Sequence, residues 1–407
     1  MSKNRIKLLT FFVAMVLVAG TYAGLMTWIE QDNRTYPLDI DGWAYMIDQV
    51  KNSGFSLGSL FEGPYVKKGP ITPFVFGLTY YVFPDDQSIL IFNVLAFALA
   101  AGFFFLGFCM LGASRTSAIS AIALWMLYLY THKYVFGHYF AEPFLSLLNA
   151  ILFLLVALAI LTANSYVVIM SGIVAGILLL ARAPYIIVII GIPLLFWLHF
   201  DNKCYKNIVL FSISLMLIYM PWPIRNFISY GKFIPFATDG GIVFFQGTYL
   251  KGDSDVINNV RNLPEFREIE NRIKEQPEIE QYQSWQTLAI QQIEQDPLGQ
   301  IYLVVRKALR FWLYVPAYSW MPSWKTAVMA TLCLPFAFLG FINNQNRLLV
   351  HLCALWVGGL WLFHAIVYAE LRYNFPIIPM MFMLMITGIS PFVQQFTSIS
   401  LQKTKSR

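Results

Sequence analysis

Residues 143–181 read PFLSLLNAILFLLVALAILTANSYVVIMSGIVAGILLLA and contain no Asp, Glu, Lys or Arg. A membrane-spanning helix needs about 20 consecutive apolar residues. The run is therefore long enough for two spans, and a turn is predicted between them at residues 162–165. The runs 87–114 and 373–402 are also free of charged residues, so the chain is predicted to be an all-α polytopic membrane protein.

The composition of the whole chain agrees with this prediction. Of its 407 residues, 58% are hydrophobic and only 12% are charged, which is about half the charged fraction of a soluble domain. The net charge of +6 does not indicate nucleic acid as a partner, because no basic cluster stands apart from the apolar runs. The four cysteines lie in predicted spans or short cytoplasmic turns, and their spacing predicts neither a disulfide nor a zinc site.

Ten spans are predicted, and the cationic residues near their ends give the orientation. Lys and Arg are enriched in cytoplasmic loops, and Lys3, Arg5 and Lys7 precede a first apolar stretch that is too long for a signal peptide. Both termini are therefore expected in the cytoplasm, in a bacterial inner (plasma) membrane. The spans lie near residues 8–29, 87–111, 116–132, 142–163, 166–181, 184–200, 207–224, 325–342, 348–368 and 375–396.

Two apolar segments are left out of the ten spans. Residues 71–83 are too short to cross the bilayer, and residues 301–315 mix Arg and Lys with Phe, Trp, Leu and Val. Both are predicted to be interfacial helices, and if either one spans, the orientation of the later spans inverts. Within a single membrane domain, 1–407, this leaves two long outer loops at 30–86 and 225–324.

The first candidate site is the acidic segment after the first span. Asp39 and Asp41 follow Pro37, and Tyr45 comes four residues after Asp41. A carboxylate here can take the proton from an acceptor hydroxyl. The structural alternative is a helix N-cap, since Asp before a helix accepts hydrogen bonds from free backbone N–H groups.

Cationic residues form the second candidate site. Lys67 and Lys68 precede Gly69 and Pro70 at the start of the first interfacial segment. Two cations at the membrane surface can hold a lipid-linked phosphate. Ordinary attraction to anionic headgroups explains them equally well.

A third candidate site lies at the start of the fourth span, where His138 precedes Glu142 and Pro143. Glu142 can act as a second acid or as a ligand for a metal ion or a sugar. The structural alternative is a favourable charge at a helix N-terminus, where Pro also fits.

The fourth candidate site contains three arginines at outer span ends. Glu370, Arg372 and Tyr373 open the last span, while Arg182 and Arg225 end the fifth and seventh. Arg binds phosphate through paired hydrogen bonds and keeps its charge. The alternative is that these side chains extend to lipid headgroups, although cations on the outer side run against the usual charge bias.

In their order along the chain, these motifs resemble those of the membrane-embedded C-type glycosyltransferases, in particular relatives of protein O-mannosyltransferases and of the lipid A aminoarabinose transferase. Each motif is short, and together they run over most of the chain. The motifs are Asp41-Gly42-Trp43-Ala44-Tyr45, Lys68-Gly69-Pro70, Glu142-Pro143, Leu180-Ala181-Arg182-Ala183-Pro184, Pro221-Trp222-Pro223-Ile224-Arg225-Asn226, Asp296-Pro297 with Lys307 to Trp312, and Arg372-Tyr373-Asn374-Phe375-Pro376.

The resemblance implies a hexosyl- or pentosyltransferase with its active site on the outer face, a polyprenyl-phosphate sugar donor and inversion at the anomeric carbon. The acceptor would be a lipid, a glycan or a protein. One departure is Gly42, which takes the place of the second acid in the family's usual Asp-Glu pair. Asp39 can replace that acid, or the site can use one carboxylate, so a divalent metal cofactor stays an open alternative.

The mechanism we expect assigns Asp41 as the base that deprotonates the acceptor hydroxyl. Lys67 or Lys68 and Arg372 would bind the departing phosphate, and Glu142 would orient the acceptor or hold the sugar. The alternatives are a transporter or flippase of lipid-linked sugars, an O-antigen polymerase or ligase, and a catalytically silent scaffold. No repeated halves of the kind common in transporters are visible in the sequence.

Overall fold

The computed structural model describes residues 3–32, 42–43, 47–48, 66–85, 87–128, 135–200, 204–249, 263–313, 324–343 and 346–405. Regular structure in these residues is helical throughout. The α-helices are α1 (Lys3–Asp32), α2 (Ile71–Val82), α3 (Ser88–Met110), α4 (Arg115–Leu127), α5 (Glu142–Thr162), α6 (Ser165–Ala181), α7 (Ile186–His199), α8 (Cys204–Tyr219), α9 (Pro221–Tyr230), α10 (Asp239–Thr248), α11 (Pro264–Lys274), α12 (Glu278–Gln295), α13 (Pro297–Arg310), α14 (Trp324–Asn343), α15 (Arg347–Ile366) and α16 (Ile378–Lys405). Two 3-10 helices, Ala183–Tyr185 and Leu371–Ile377, precede α7 and α16.

A helix lies at each of the ten predicted spans. Six segments of the described chain are each long and apolar enough to cross a membrane: Ile6–Gln31, Ser88–Met110, Glu142–Thr162, Tyr205–Tyr230, Arg347–Ile366 and Leu371–Pro391. The other four predicted spans correspond to shorter apolar helices. The predicted turn at 162–165 is also present, because α5 ends at Thr162 and α6 begins at Ser165.

The long helices pack as a bundle around an aromatic core. α3 packs against α1 and α5, α6 against α8, and α16 against α14 and α4. In the core, the rings of Phe97, Trp125, Phe136 and Phe375 lie with centroids 4.3–6.1 Å apart. Trp125 Nε1 also donates to the carbonyl of Phe375 at 3.1 Å. Such contacts tie α3 and α4 to the 3-10 helix that carries Arg372.

In the polar stretch between α9 and α14, the described residues form four helices, α10–α13, with a small apolar core of their own. That core contains Phe245, Phe266 and Trp285, whose rings lie within 5.9 Å of one another, together with Ile273. The sequence predicts surface helices over residues 261–296 within this stretch, and α11 and α12 occupy them.

Candidate functional site

Four helix ends bring charged and aromatic residues to one end of the bundle. Glu142 is the first residue of α5, Arg182 directly follows α6, and His364 lies in the last turn of α15. Because α5 and α6 form a hairpin, the start of α5 and the end of α6 lie at the same end. We call the group the Arg372 cluster, defined as Glu142, Arg182, His364, Glu370, Arg372 and Tyr373.

The cluster is built around ion pairs of Arg372. Its Nε lies 2.6 Å from Glu370 Oε2 and 3.8 Å from Glu142 Oε1. The Glu142 side chain is only 2% exposed, so its charge needs a partner, since a buried carboxylate without one is costly. Glu142 also stands in the first turn of α5, where the helix dipole favours an acid. Both the structural and the functional interpretation of Glu142 are therefore compatible with its position.

The turn between α15 and the 3-10 helix positions Glu370. Tyr368 donates its hydroxyl to Glu370 Oε1 at 3.1 Å. Burial, and after it the neighbouring Glu370 carboxylate, raise the pKa of Tyr368 well above its usual range. The hydroxyl therefore stays protonated and keeps donating to Glu370 at any physiological pH.

Aromatic rings hold both arginines of the cluster. The Arg372 guanidinium carbon lies 4.4 Å from the centre of the Phe140 ring and 5.2 Å from that of Tyr373. The Arg182 guanidinium carbon lies 5.1 Å from the same Tyr373 ring. His364 stacks on Tyr373 with centroids 4.7 Å apart, and its Nδ1 lies 2.7 Å from the carbonyl of Tyr368. Two permanent cations thus share one aromatic platform.

The segment containing Lys68 docks beside Arg182. A Cβ on Gly69 would collide with the carbonyl oxygen of Leu180, so glycine allows the segment to touch the end of α6. Lys68 Nζ lies 3.7 Å from Asp239 Oδ2 and 4.4 Å from the centre of the buried Trp43 ring. A third cation is therefore placed close to the end of α6 from which Arg182 extends.

No protein-family model matches the chain, and no curated protein matches it. Among solved structures, the chain is similar to ArnT from Cupriavidus metallidurans, whose crystal structure was determined bound to undecaprenyl phosphate, with a TM-score of 0.52 and 12% sequence identity. The fold of the chain is therefore similar to that of ArnT.

The similarity extends over nearly all of this chain but not over all of ArnT. It covers 97% of the chain and 63% of ArnT, so the chain spans less than two thirds of that protein's length. The fold class predicted from the sequence is confirmed. At 12% identity the likeness concerns the fold alone.

The structure brings several of the predicted site residues together. Glu142, Arg182, Arg372 and Tyr373 meet in the cluster, and Lys68 precedes Gly69, which contacts the end of α6. Arg225 instead lies between the rings of Trp222 and Tyr230, at 5.3 and 5.5 Å, and donates to Asn226. These contacts are all within or next to its own helix, α9.

The remaining predicted residues have less defined roles. The backbone carbonyl of Lys67 accepts from Asp239 N at 3.1 Å, and the buried His138 ring lies 5.7 Å from that of Phe140. Asp39, Asp41 and Tyr45 lie outside the described residues. Within the described part of the chain, no three His, Cys, Asp or Glu side chains form a metal-binding group.

The sequence did not indicate His364 or Phe140 as site residues. Both lie in or next to apolar stretches, where neither periodicity nor a motif distinguishes them from core residues. The sequence shows Glu370 only as a neighbour of Arg372, although it makes the shortest contact with that side chain. The sequence signal for this part of the site is the close spacing of Glu370, Arg372 and Tyr373 at the start of a predicted span.

Proposed function

We propose that the chain is a glycosyltransferase that moves a sugar from a polyprenyl-phosphate donor to a lipid, glycan or protein acceptor. The fold is that of C-type transferases, and the solved structure to which the chain is similar holds undecaprenyl phosphate. The sugar would be a hexose or a pentose. The reaction would take place on the outer face of a bacterial inner membrane, with both termini in the cytoplasm.

The observation that carries the proposal is the pair of guanidinium groups at Tyr373. Arg182 and Arg372 lie 5.1 and 5.2 Å from the centre of this ring, and both would bind the phosphate of the donor. Guanidinium matches phosphate geometry and keeps its charge at any physiological pH. Lys68, and Lys67 beside it, would add a further cation where the donor headgroup enters.

The chemistry follows from the leaving group. A polyprenyl phosphate departs readily once its developing charge is stabilised, which is what positioned cations do. Asp41 would take the proton from the acceptor hydroxyl as this oxygen attacks the anomeric carbon from the opposite face, so the configuration inverts. Glu142 and Glu370 would hold Arg372 in place, and Glu142 would also orient the acceptor or the sugar.

A transfer assay tests the proposal directly. Purified protein in proteoliposomes would be given a panel of polyprenyl-phosphate sugars, and the acceptor pool would be analysed by mass spectrometry. We expect one donor to be consumed with a matching mass gain in one acceptor class. Asp41→Asn should abolish this transfer while the protein still elutes as wild type, and Glu280→Gln, which changes an exposed acid on α12, should leave it unchanged.

Other outcomes would favour the alternatives. Movement of a lipid-linked sugar across the vesicle membrane without a new glycosidic bond would indicate a flippase. Transfer of a preassembled oligosaccharide would indicate a ligase-type enzyme. Substantial transfer by Asp41→Asn would remove Asp41 from the role of base while leaving the rest of the proposal standing.

A further inference from the structure

Helix α13 presents five large apolar residues to the outside and, together with Leu303, buries three polar residues against the protein. In a helix that faces water, the charged residues would be on the outside. Here Gln300, Lys307 and Arg310 are buried. The exposed stripe consists of Leu298, Ile301, Tyr302, Val305 and Leu309, each more than half exposed.

Hydrogen bonds on the inner face fix this orientation. Gln300 Nε2 donates to the carbonyl of Thr248 at 2.8 Å, at the C-terminal end of α10. Lys307 Nζ donates to the carbonyls of Gly247 at 3.0 Å and of Ile366 at 2.6 Å, at the ends of α10 and α15. Rotating α13 to bury its apolar stripe would leave these groups without their partners, which is costly for buried polar atoms.

The exposed stripe adjoins the surface of a membrane-spanning helix. Trp361 of α15 donates its indole N–H to the carbonyl of Ala308 at 2.8 Å. On the same helix, Leu362 and Ile366 are about half exposed, as expected for a span that faces lipid. α13 therefore lies against the end of α15 with its apolar residues beside those that face the bilayer.

We propose that the stripe Leu298–Ile301–Tyr302–Val305–Leu309 of α13 is seated in the lipid leaflet on the side of the Arg372 cluster. Lipid acyl chains would cover the stripe, because they contact apolar side chains and have no hydrogen-bonding groups of their own. The sequence predicts an interfacial segment here, and the structure adds which face meets lipid. Because Lys307 binds the end of α15, the docked helix would hold the turn with Glu370 and Arg372 at a fixed depth below the headgroups.

The role of this depth in placing the Arg372 cluster at a donor phosphate rests on the proposed function. The docking of α13 in the leaflet does not. At that depth the Arg372 cluster would meet the phosphate of a lipid whose tail stays in the bilayer. Membrane docking can therefore be tested without measuring sugar transfer, and the two proposals can fail separately.

Fluorescence quenching by lipids tests the docking. Single cysteines at Ile301 and Val305 would be labelled with an environment-sensitive fluorophore, in a variant whose four native cysteines are replaced by alanine and which elutes as wild type. Gln291→Cys on α12, an exposed polar position, serves as the matched control. In proteoliposomes with nitroxide-labelled acyl chains, we expect blue-shifted emission and strong quenching at Ile301 and Val305 but not at Gln291.

Either of two other results would overturn the proposal. Emission and quenching equal to those of the control would mean that the stripe faces water. A blue shift without quenching by the nitroxide lipids would mean that protein covers it, either a second copy or another chain. Dilution of the protein into excess lipid would then separate these two sources.

Discussion

At the scale of single residues, Arg372 combines an ion pair with stacking on aromatic rings. Its Nε meets Glu370 at 2.6 Å while its guanidinium plane lies near Phe140. A lysine would keep the charge but lose the planar, fork-shaped set of donors. The contacts therefore depend on the guanidinium group and not only on its charge.

We expect Arg372→Lys to lower sugar transfer by roughly 100-fold, the typical cost of removing one donor that stabilises developing charge. Since the positive charge beside Glu142 and Glu370 is retained, the variant should still fold. Arg272→Lys on the exposed side of α11 is the matched control. Transfer assays and size-exclusion profiles check both, and a fully active Arg372→Lys would contradict the role given to the guanidinium.

Lys307 is a second residue whose surroundings make a measurable prediction. Burial lowers the pKa of Lys307 to about 8, while the unfolded chain keeps the ordinary value of about 10.5. Between these two values the unfolded state binds more protons, so the free energy of unfolding rises with pH, by at most about 1.4 kcal/mol per pH unit.

We therefore expect the melting temperature in detergent to rise between pH 8 and pH 10 relative to that of Lys307→Met, whose side chain carries no proton. The slopes of the two curves must be compared, because Lys307→Met also leaves the carbonyls of Gly247, Ile366 and Val367 without this donor and lowers stability at every pH. Intrinsic tryptophan fluorescence during heating gives both curves. Parallel curves for the two proteins would show that Lys307 does not titrate in this range.

At the scale of helices, close approach at glycine decides how α14 packs on α16. A Cβ on Gly340 would collide with the carbonyl oxygen of Leu384, and a Cβ on Gly388 would collide with that of Phe336. Small residues at such crossings let helix backbones approach closely within a membrane. A side chain at either position would push the two helices apart.

Alanine substitutions test this packing. We expect Gly340→Ala and Gly388→Ala each to cost about 1–3 kcal/mol, the usual range for overpacking, and to lower the melting temperature. Gly358→Ala in α15 is the matched control, because nothing lies within 4 Å of a Cβ built there, and Ala favours the helix over Gly. An unchanged melting temperature in all three variants would mean that α14 and α16 do not approach closely.

At the scale of the whole molecule, the bundle has two distinct ends. The Arg372 cluster gathers at one end, and the turn between α5 and α6 must lie at the other, since both helices have their opposite termini at the cluster. Tyr166, just after that turn, is 80% exposed. We propose that this end faces the cytoplasm.

Membrane-impermeant maleimide tests the orientation in intact cells. On the cysteine-free background, we expect Gln291→Cys on α12 to react from outside and Tyr166→Cys to react only after the cells are opened. Reaction of both positions from the same side would contradict the assigned topology. Reaction of Tyr166→Cys alone from outside would invert it and place the Arg372 cluster in the cytoplasm.

The sequence by itself determined the all-α class and the position of a helix at each of the ten predicted spans. In a bilayer, backbone groups must bond within the helix, so a charge-free apolar run such as 143–181 has few alternatives. The crowding of Arg372 and Tyr373 at a span start was also visible, because charge near a span end stands out locally against apolar neighbours.

Only the tertiary structure decided which of these residues meet. Glu142 reaches Arg372 because α5 packs beside the 3-10 helix before α16. The guanidinium of Arg225 lies over the rings of Trp222 and Tyr230. The buried polar face of α13 could not be predicted from the sequence either, because its hydrogen-bond partners are carbonyls at the ends of helices far away in the chain. Contacts between residues far apart in the chain depend on packing, and no local pattern encodes them.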